Sequence, residues 1–419
     1  MQSPKGMHDI LPQDEALWER VRRTARDIAG YYNFVRLETP MLEREELFLH
    51  SVGETTDIVE KQMFVVKTKG GERLVLRPEG TAGIARAYIE HGLGHLMGLP
   101  LKIFYEGSMF RYEQPQAGRY REFHQIECDI LSAENDPVYD AQVILVCARI
   151  FESLKIKDVT IAINSIGCRE CRPSYRKELI QYYKPRKNSL CADCLRRLEV
   201  NPLRLLDCKE EGCIALRKQA PIMIDHLCKK CHDHFKLTLE YLDELKLGYT
   251  LDHYLVRGFD YYTNTVFEMV PASGGGSLGG GGRYDYLIED LGGNPTPAVG
   301  WAAGVERIVE YMREHEIAIP SRGRAKPFFI YIGDLAKKRS LTLIEELRRA
   351  NVDIRESLGR ESLSAQLRNA DKFHSPIALI FGQKEAFEET IIIRDLKVGV
   401  QETIPLARMV ESVKKKLRS

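Results

Sequence analysis

At about residue 326 the chain changes rhythm, and one packing arrangement cannot serve both sides of the change. Beyond the polar stretch SRGRAKP, strands and helices alternate: FFIYIG, a helix over 335–350, VDIRES, a helix over 361–372, then PIALIFG, TIIIRDL and VGVQETI before a closing helix over 407–418. Alternation of this kind predicts an α/β domain with a largely parallel sheet. Upstream, strands follow strands with few crossovers. Leu17, Val21, Ala25 and Ile28 recur at helical spacing, so a helix over 14–30 opens the fold. FVRLETP and MFVVKTKGGERLVLRPE read as strands, with Gly70-Gly71 as a hairpin turn. A helix over 80–91 follows, and then KIFYEGSMFRYE and REFHQIECDILS form two antiparallel strands joined by a long polar loop. A helix over 137–153, strands in VTIAIN, LVRGFDYY and TVFEMV, and a helix entered near 304 complete an antiparallel α+β body. The expected domains are 1–325, interrupted by an insertion at 165–236, and 326–419.

Charge divides along the same lines. The net charge is only +1, yet residues 321–419 carry 20 Lys/Arg against 13 Asp/Glu and residues 165–236 carry 16 against 9, while the rest is acidic. Two basic modules on an acidic body suit contact with a polyanion, although solvated Lys/Arg-rich helices give the same balance. The opening MQSPKGMHDILPQDE lacks the apolar core of a signal peptide, and no apolar run is long enough to cross a membrane, so a soluble, cytoplasmic protein is expected.

Eight of the ten cysteines fall inside the insertion as four close pairs. Cys168, Cys171, Cys191 and Cys194 read C-x2-C-x19-C-x2-C, and Cys208, Cys213, Cys228 and Cys231 read C-x4-C-x14-C-x2-C. Read in this linear order, the first quartet has the spacing of a structural zinc site and the second is close to it. A reducing compartment argues against disulfides. The alternative is that these thiols are free, small core residues; His232 and His234 lie nearby as substitute ligands or as surface residues.

Three segments of the body place arginine and acidic residues beside glycine. In FRYEQPQAGRYREFHQIECD, strand alternation sets Arg121, Phe123 and Gln125 on one face, opposite Glu122, His124 and Ile126. Arg111, Arg119 and Arg121 flank a loop, which suits a triphosphate or a surface hairpin with routine ion pairs. LVRGFDYY puts Arg257 within an apolar strand, where it needs an anion. AVGWAAGVERIV brings small residues to a helix start at Glu306-Arg307. Together with LRPEGTA, GGRYD, the opening GMHDILP and the distal QLRNADKFHSPIALIFG, these segments resemble the class II aminoacyl-tRNA synthetases, and in wording, order and spacing the histidyl-tRNA synthetase family. LVRGFDYY is the most specific, being similar to that family's histidine-selective segment.

The resemblance implies an antiparallel class II catalytic domain with a helical insertion that approaches the tRNA acceptor stem, and a C-terminal anticodon-binding domain. It implies attack of the histidine carboxylate on the α-phosphorus of ATP, with Mg2+ accompanying ATP, and transfer of histidine to tRNA. Carried over to this chain, Arg111 contacts the α-phosphate and Arg257 is the electrophilic arginine on its other side. Arg119 or Arg121 meets the outer phosphates, and Arg307 the adenine and phosphate tail. Glu79, Thr81, Gln125 and Asp129 surround the α-amino group and pocket, Tyr261 and Tyr262 line the imidazole site, and Gln116 lies near the acceptor end. Many bacterial relatives have Glu where this chain has Asp129, so the acid reaches less far. The glycine run 274–282, by composition a linker, abuts GGRYD and is expected to be a loop whose bare backbone approaches substrate. The family's pattern also implies a homodimer, with Pro40 in the interface motif. Rival readings are a non-catalytic, histidine-binding regulatory paralogue of histidine biosynthesis, an RNA sensor within a kinase, and a synthetase for another amino acid. The first of these rivals lacks the C-terminal domain and the arginines present here.

Overall fold

The computed structural model describes residues 1–417 apart from 54–55, 57, 117, 275, 319–325 and 360–361. Its chain divides into two compact units, Met1–Ile319 and Pro320–Ser419. The first is built on an eight-stranded sheet, in the order Val35–Leu37, Leu101–Phe110, Glu122–Leu131, Ala298–Gly304, Gly279–Arg283, Thr263–Pro271, Val159–Ser165, Tyr249–Leu251. Its first and last pairings are parallel and the five between them antiparallel. A small antiparallel sheet, Leu42–Arg44, Phe64–Lys67 and Arg73–Leu76, stands apart, with Gly71 in the left-handed turn that closes its hairpin.

One face of the large sheet is covered by helices. Glu15–Tyr31 buries Trp18, Val21, Ala25 and Ala29, spaced three and four apart so that one stripe faces the sheet. Pro137–Ser153 starts where Asp136 accepts a hydrogen bond from the amide of Val138 (2.9 Å) and Pro137 occupies the first turn, where its missing N–H costs nothing. These helices, with Val305–Glu314, pack on Ile126, Cys128, Ile130, Phe267, Val299 and Trp301. The opposite face carries the cleft described below.

Two sequence expectations fail in this unit. LVRGFDYY is not a strand: residues 255–262 run irregularly before the strand that begins at Thr263. The glycine run is not all loop either, since Gly279–Arg283 is a buried interior strand. Its neighbours come so close that a Cβ on Gly281 would lie 1.9 Å from the carbonyl oxygen of Gly300. Glycine here serves close packing of backbone on backbone. The insertion is helical, as expected, with Arg172–Tyr183, Ala192–Val200, Glu211–Arg217 and the returning helix Lys229–Glu244.

The second unit orders its strands Arg355–Glu356, Phe328–Tyr331, Ile377–Phe381, Thr390–Asp395, Gln401–Pro405. Only the first two pairings are parallel; the last two are antiparallel, which corrects the expectation of a largely parallel sheet. The links that follow Phe381 and Asp395 are shorter than the dozen or so residues a parallel crossover requires. Helices Asp334–Arg349 and Met409–Lys416 cover one face, and Leu363–Lys372 the other. No helix among the described residues is long and apolar enough to cross a membrane.

The large sheet is tied to its helices by a buried ionic network. Arg283, with no exposed surface, donates to Asp285 (2.9 Å) and to Asp140, which also faces His234 (3.2 Å). Asn135 and Asn264 each donate to the other oxygen of Asp285 at 2.9 Å. Burial pushes the Asp140 carboxyl up, but Arg283 and His234 more than reverse this and hold it below the ordinary range. Arg283→Met strands two buried carboxylates, and is expected to cost about 3–5 kcal/mol in urea unfolding; a loss under about 1 kcal/mol would show the network to be dispensable.

Candidate functional site

Alternation along Glu122–Leu131 sends Ile126, Cys128 and Ile130 into the helix-covered core and Gln125, Glu127 and Asp129 to the other face. Ala298–Gly304 beside it turns Val299, Trp301 and Ala303 inward to the core, leaving Gly300, Ala302 and Gly304 opposite. That opposite face is the floor of a cleft of about 780 Å³, continuous with a chamber of about 560 Å³.

The floor is acidic. Glu79, at the start of the Thr81–Glu90 helix, accepts from the amides of Thr81 (2.9 Å) and Ala82 (2.7 Å) and from the Tyr261 hydroxyl (3.3 Å). Asp129 accepts from the Tyr284 hydroxyl at 2.6 Å. It is not itself in the lining of the cleft or chamber: it lies beneath Gly300, where a Cβ would fall 1.9 Å from its Oδ1, and behind Tyr284, both of which line the chamber. Glu79, Glu127 and Asp129 are all nearly inaccessible, and burial pushes each carboxyl upward; for Glu127 the neighbouring Asp129 and Glu79 push further. Gln125 Oε1, Glu127 Oε2 and Asp129 Oδ2 are buried without a hydrogen-bond partner among the described residues. Unpartnered buried acceptors are costly, so three together mark a pocket for a ligand rich in donors. Tyr261 and Tyr262 wall this pocket, with ring centroids 4.7 Å apart, and Tyr261 stacks on Phe259 at 5.2 Å.

The rim is basic. Arg111 donates from Nε to the Pro78 carbonyl (2.8 Å) and lies over the Phe123 ring; burial pulls its pKa down from the ordinary arginine value. Arg257 pairs through Nη1 with Glu268, and its buried Nε has no partner among the described residues. Arg307, in the first turn of Val305–Glu314, bridges two loops, donating to the carbonyls of Gly118 (3.2 Å) and Ser277 (2.6 Å). Arg119 and Gln116 pair across a turn at the tip of the long hairpin, and both reach the chamber. Arg121 is not brought into the cleft lining: its guanidinium covers the Tyr112 ring at 3.9 Å, and its Nε meets the Glu113 carbonyl.

Glu127, Glu268 and Tyr284 were not singled out from the sequence. For Glu127 a signal existed, because the alternation that selects Phe123 and Gln125 reaches it two residues on. Tyr284 lies within GGRYD, one of the segments that carry the family resemblance, whereas Glu268 carried no such signal and joins the site through the Thr263–Pro271 strand. The insertion also supplies a wall: Asp193, Arg197, Arg204, Asp207 and Lys209 all line the cleft. Its cysteines are grouped differently from their linear order. Cys168 and Cys171 meet Cys228 and Cys231, and Cys191 and Cys194 meet Cys208 and Cys213. The linear quartets are therefore replaced by nested ones, because an insertion's entry and exit must adjoin.

The comparisons with known proteins agree with this geometry. Residues 6–308 match the family model described as histidyl-tRNA synthetase, and residues 328–416 match an anticodon-binding domain. A histidine–tRNA ligase of Dehalococcoides mccartyi is 44% identical over 99% of this chain and all of its own length. That of Aquifex aeolicus is 43% identical over 98% of this chain, again across its full length. The crystal structure of apo histidyl-tRNA synthetase from S. aureus superposes with a TM-score of 0.82 at 30% identity, covering 99% of this chain and all of that one. With an acidic, tyrosine-walled pocket set beside an arginine rim on an antiparallel sheet, the chain belongs to the histidyl-tRNA synthetase family.

Proposed function

We propose that this chain is a histidine–tRNA ligase, which activates histidine with Mg2+-ATP to histidyl-adenylate and pyrophosphate and then transfers histidine to the 3′ end of its tRNA. One observation carries the reading: opposite charges are segregated within a single cleft. The floor of Glu79 and Glu127, with Asp129 beneath it, suits an ammonium and an imidazole N–H, while the rim of Arg111, Arg119, Arg257 and Arg307 suits a polyphosphate. Thr81 and Gln125 complete the amino-acid pocket, and Tyr261 and Tyr262 shape it around a planar ring. A polar pocket of this kind rejects apolar side chains of similar size, because they would leave its buried acceptors unpaired.

Activation brings two anions together, so fixed positive charge is needed where negative charge develops. Arg111 and Arg257 take the α-phosphate from its two sides, each guanidinium staying charged and offering several donors. Arg257 is held by Glu268, and among the described residues its Nε has no partner, which leaves it for this task. Arg307 and Arg119 take the remainder of the nucleotide; Arg121, turned onto Tyr112, supports the hairpin. Gln116, at the hairpin tip, meets the acceptor end. The C-terminal unit, with its basic balance, takes the anticodon region. The enzyme acts in the cytoplasm as a homodimer paired through the segment around Pro40. Met41 and Leu42 there are 54% and 41% exposed, and Val65 and Val66 on the same small sheet are also exposed.

ATP–pyrophosphate exchange without tRNA tests the reading: exchange should require histidine and no other amino acid should replace it. No exchange, with histidine still bound, would hand the site to the regulatory-paralogue reading. Arg257→Ala should lower exchange by about two to three orders of magnitude while histidine binding persists; unchanged turnover would remove Arg257 from the chemistry. Ionised, Asp129 is the stronger acceptor and attracts a cationic ligand; burial pushes its pKa up to about 7, so this contribution is lost as pH falls. The histidine-affinity gap between wild type and Asp129→Asn should therefore widen from about pH 5 to about pH 8. A gap independent of pH would exclude this role. Deleting residues 326–419 should spare exchange and cut tRNA charging at least about tenfold; equal loss of both would indicate a structural role.

A further inference from the structure

We infer that the insertion holds two structural zinc ions in nested all-cysteine sites, an outer one that closes its neck and an inner one that holds the wall it presents to the cleft. The inference does not depend on the aminoacylation reading. In each tetrad the four Sγ atoms lie within 4.8 Å of one another. Among the pairs, Cys168–Cys171 and Cys171–Cys231 are at 3.6 Å, Cys228–Cys231 at 3.5 Å, and Cys191–Cys208 at 3.8 Å. A disulfide brings its sulfurs to about 2.0 Å. A tetrahedron with zinc–sulfur arms of about 2.3 Å has edges of about 3.8 Å. The observed separations are those of a metal cage.

Backbone amides point at the sulfurs, as they do around a bound thiolate. Glu170 donates to Cys168 (3.4 Å), Cys228 to Cys171 (3.0 Å), Cys194 to Cys191 (3.4 Å), and Cys191 to Cys213 (3.4 Å). These donors delocalise thiolate charge and fix ligand direction. The bend before the outer tetrad is glycine-dependent. Gly167 has φ +65°, and a Cβ there would fall 2.8 Å from that of Cys171. Small apolar core thiols have no reason to converge four at a time from distant chain segments, nor to collect amide donors.

Topology explains the nesting. Cys168 and Cys171 follow the Val159–Ser165 strand, where the insertion leaves the body. Cys228 and Cys231 open the Lys229–Glu244 helix, by which it returns to the strand pairing of Tyr249–Leu251 with Ile161–Ile163. The outer tetrad thus joins the two ends of the excursion. The inner tetrad joins the start of Ala192–Val200 to Cys208, just past Pro202–Asp207, and to Cys213 in the first turn of Glu211–Arg217. Cys191 and Cys208 both border the cleft, next to Asp193 and Lys209. Tyr175, Leu179, Leu198 and Leu205 give these short helices an apolar core, and metal adds a cross-link between segments distant in the chain.

The test is metal content of full-length protein purified without chelator or histidine tag. Wild type should carry two zinc ions per chain, with X-ray absorption showing four sulfurs per zinc at about 2.3 Å. C168S/C228S changes two half-buried ligands of one nested tetrad, yet one ligand in each linear quartet. It should lose one zinc and retain the other with all-sulfur ligation, and C191S/C208S should do the same. In wild type, only Cys128 and Cys147 should then remain unligated, so native thiol titration should stay low until zinc is released. Fewer than two zinc ions in wild type, oxygen or nitrogen ligands, or equal weakening of both sites in C168S/C228S would each overturn the assignment. Metal content is read without substrate, so failure of the aminoacylation reading leaves this outcome unaffected.

Discussion

Desolvated carboxylates on one face of a sheet whose other face is hydrophobic core set the terms for the rest of the catalytic unit. Glu127 and Asp129 cannot retreat into water, because Ile126, Cys128 and Ile130 between them are locked into the helix layer. Rotating the strand to expose the acids would expose the core instead. The cost of burying charge is thus borne by the packing of Glu15–Tyr31, Pro137–Ser153 and Val305–Glu314 against the same strands. The resulting floor has acceptors that nothing among the described residues satisfies, which suits the pocket to a donor-rich ligand.

Ionic groups do different work at two depths. Arg283 pairs with both Asp140 and Asp285, and Asp285 also accepts from the side-chain amides of Asn135 and Asn264, although Arg283 Nη2 and Asp140 Oδ1 have no partner among the described residues; the network holds the glycine strand to the Pro137–Ser153 helix. Arg257 and Arg307, nearer the opening, have partners that leave donors to spare or that lie on loops. Arginine deep in the sheet is structural, and arginine at its edge is available to a ligand. The GGRYD segment illustrates the difference: its arginine is a tie within the fold, and its tyrosine, Tyr284, holds the acid beneath the pocket.

Much of the local structure was legible from residue spacing. The helices at 15–31, 81–90, 137–153 and 305–314 follow apolar periodicity and end signals, and the long hairpin follows two alternating runs around a polar loop. Errors arose where local pattern and neighbouring chain disagree. LVRGFDYY has the apolar and aromatic content of a strand, yet its backbone leaves the sheet so that Arg257, Phe259, Tyr261 and Tyr262 reach the cleft. The glycine run has the composition of a linker, yet much of it is an interior strand, because two adjacent strands close in over bare backbone.

By itself, the sequence determined the domain rhythm, the family and most of the residues that meet in the cleft, since these depend on short-range periodicity and on motifs contiguous in the chain. Tertiary structure alone decided which cysteines share a cage, that Arg121 turns aside while Glu268 turns in, and that the insertion walls the cleft. Each of those outcomes depends on segments that are far apart along the chain and meet only when the sheet closes and the insertion returns to it. Linear spacing carries no term for that return, and so it paired the cysteines in order where the fold nests them.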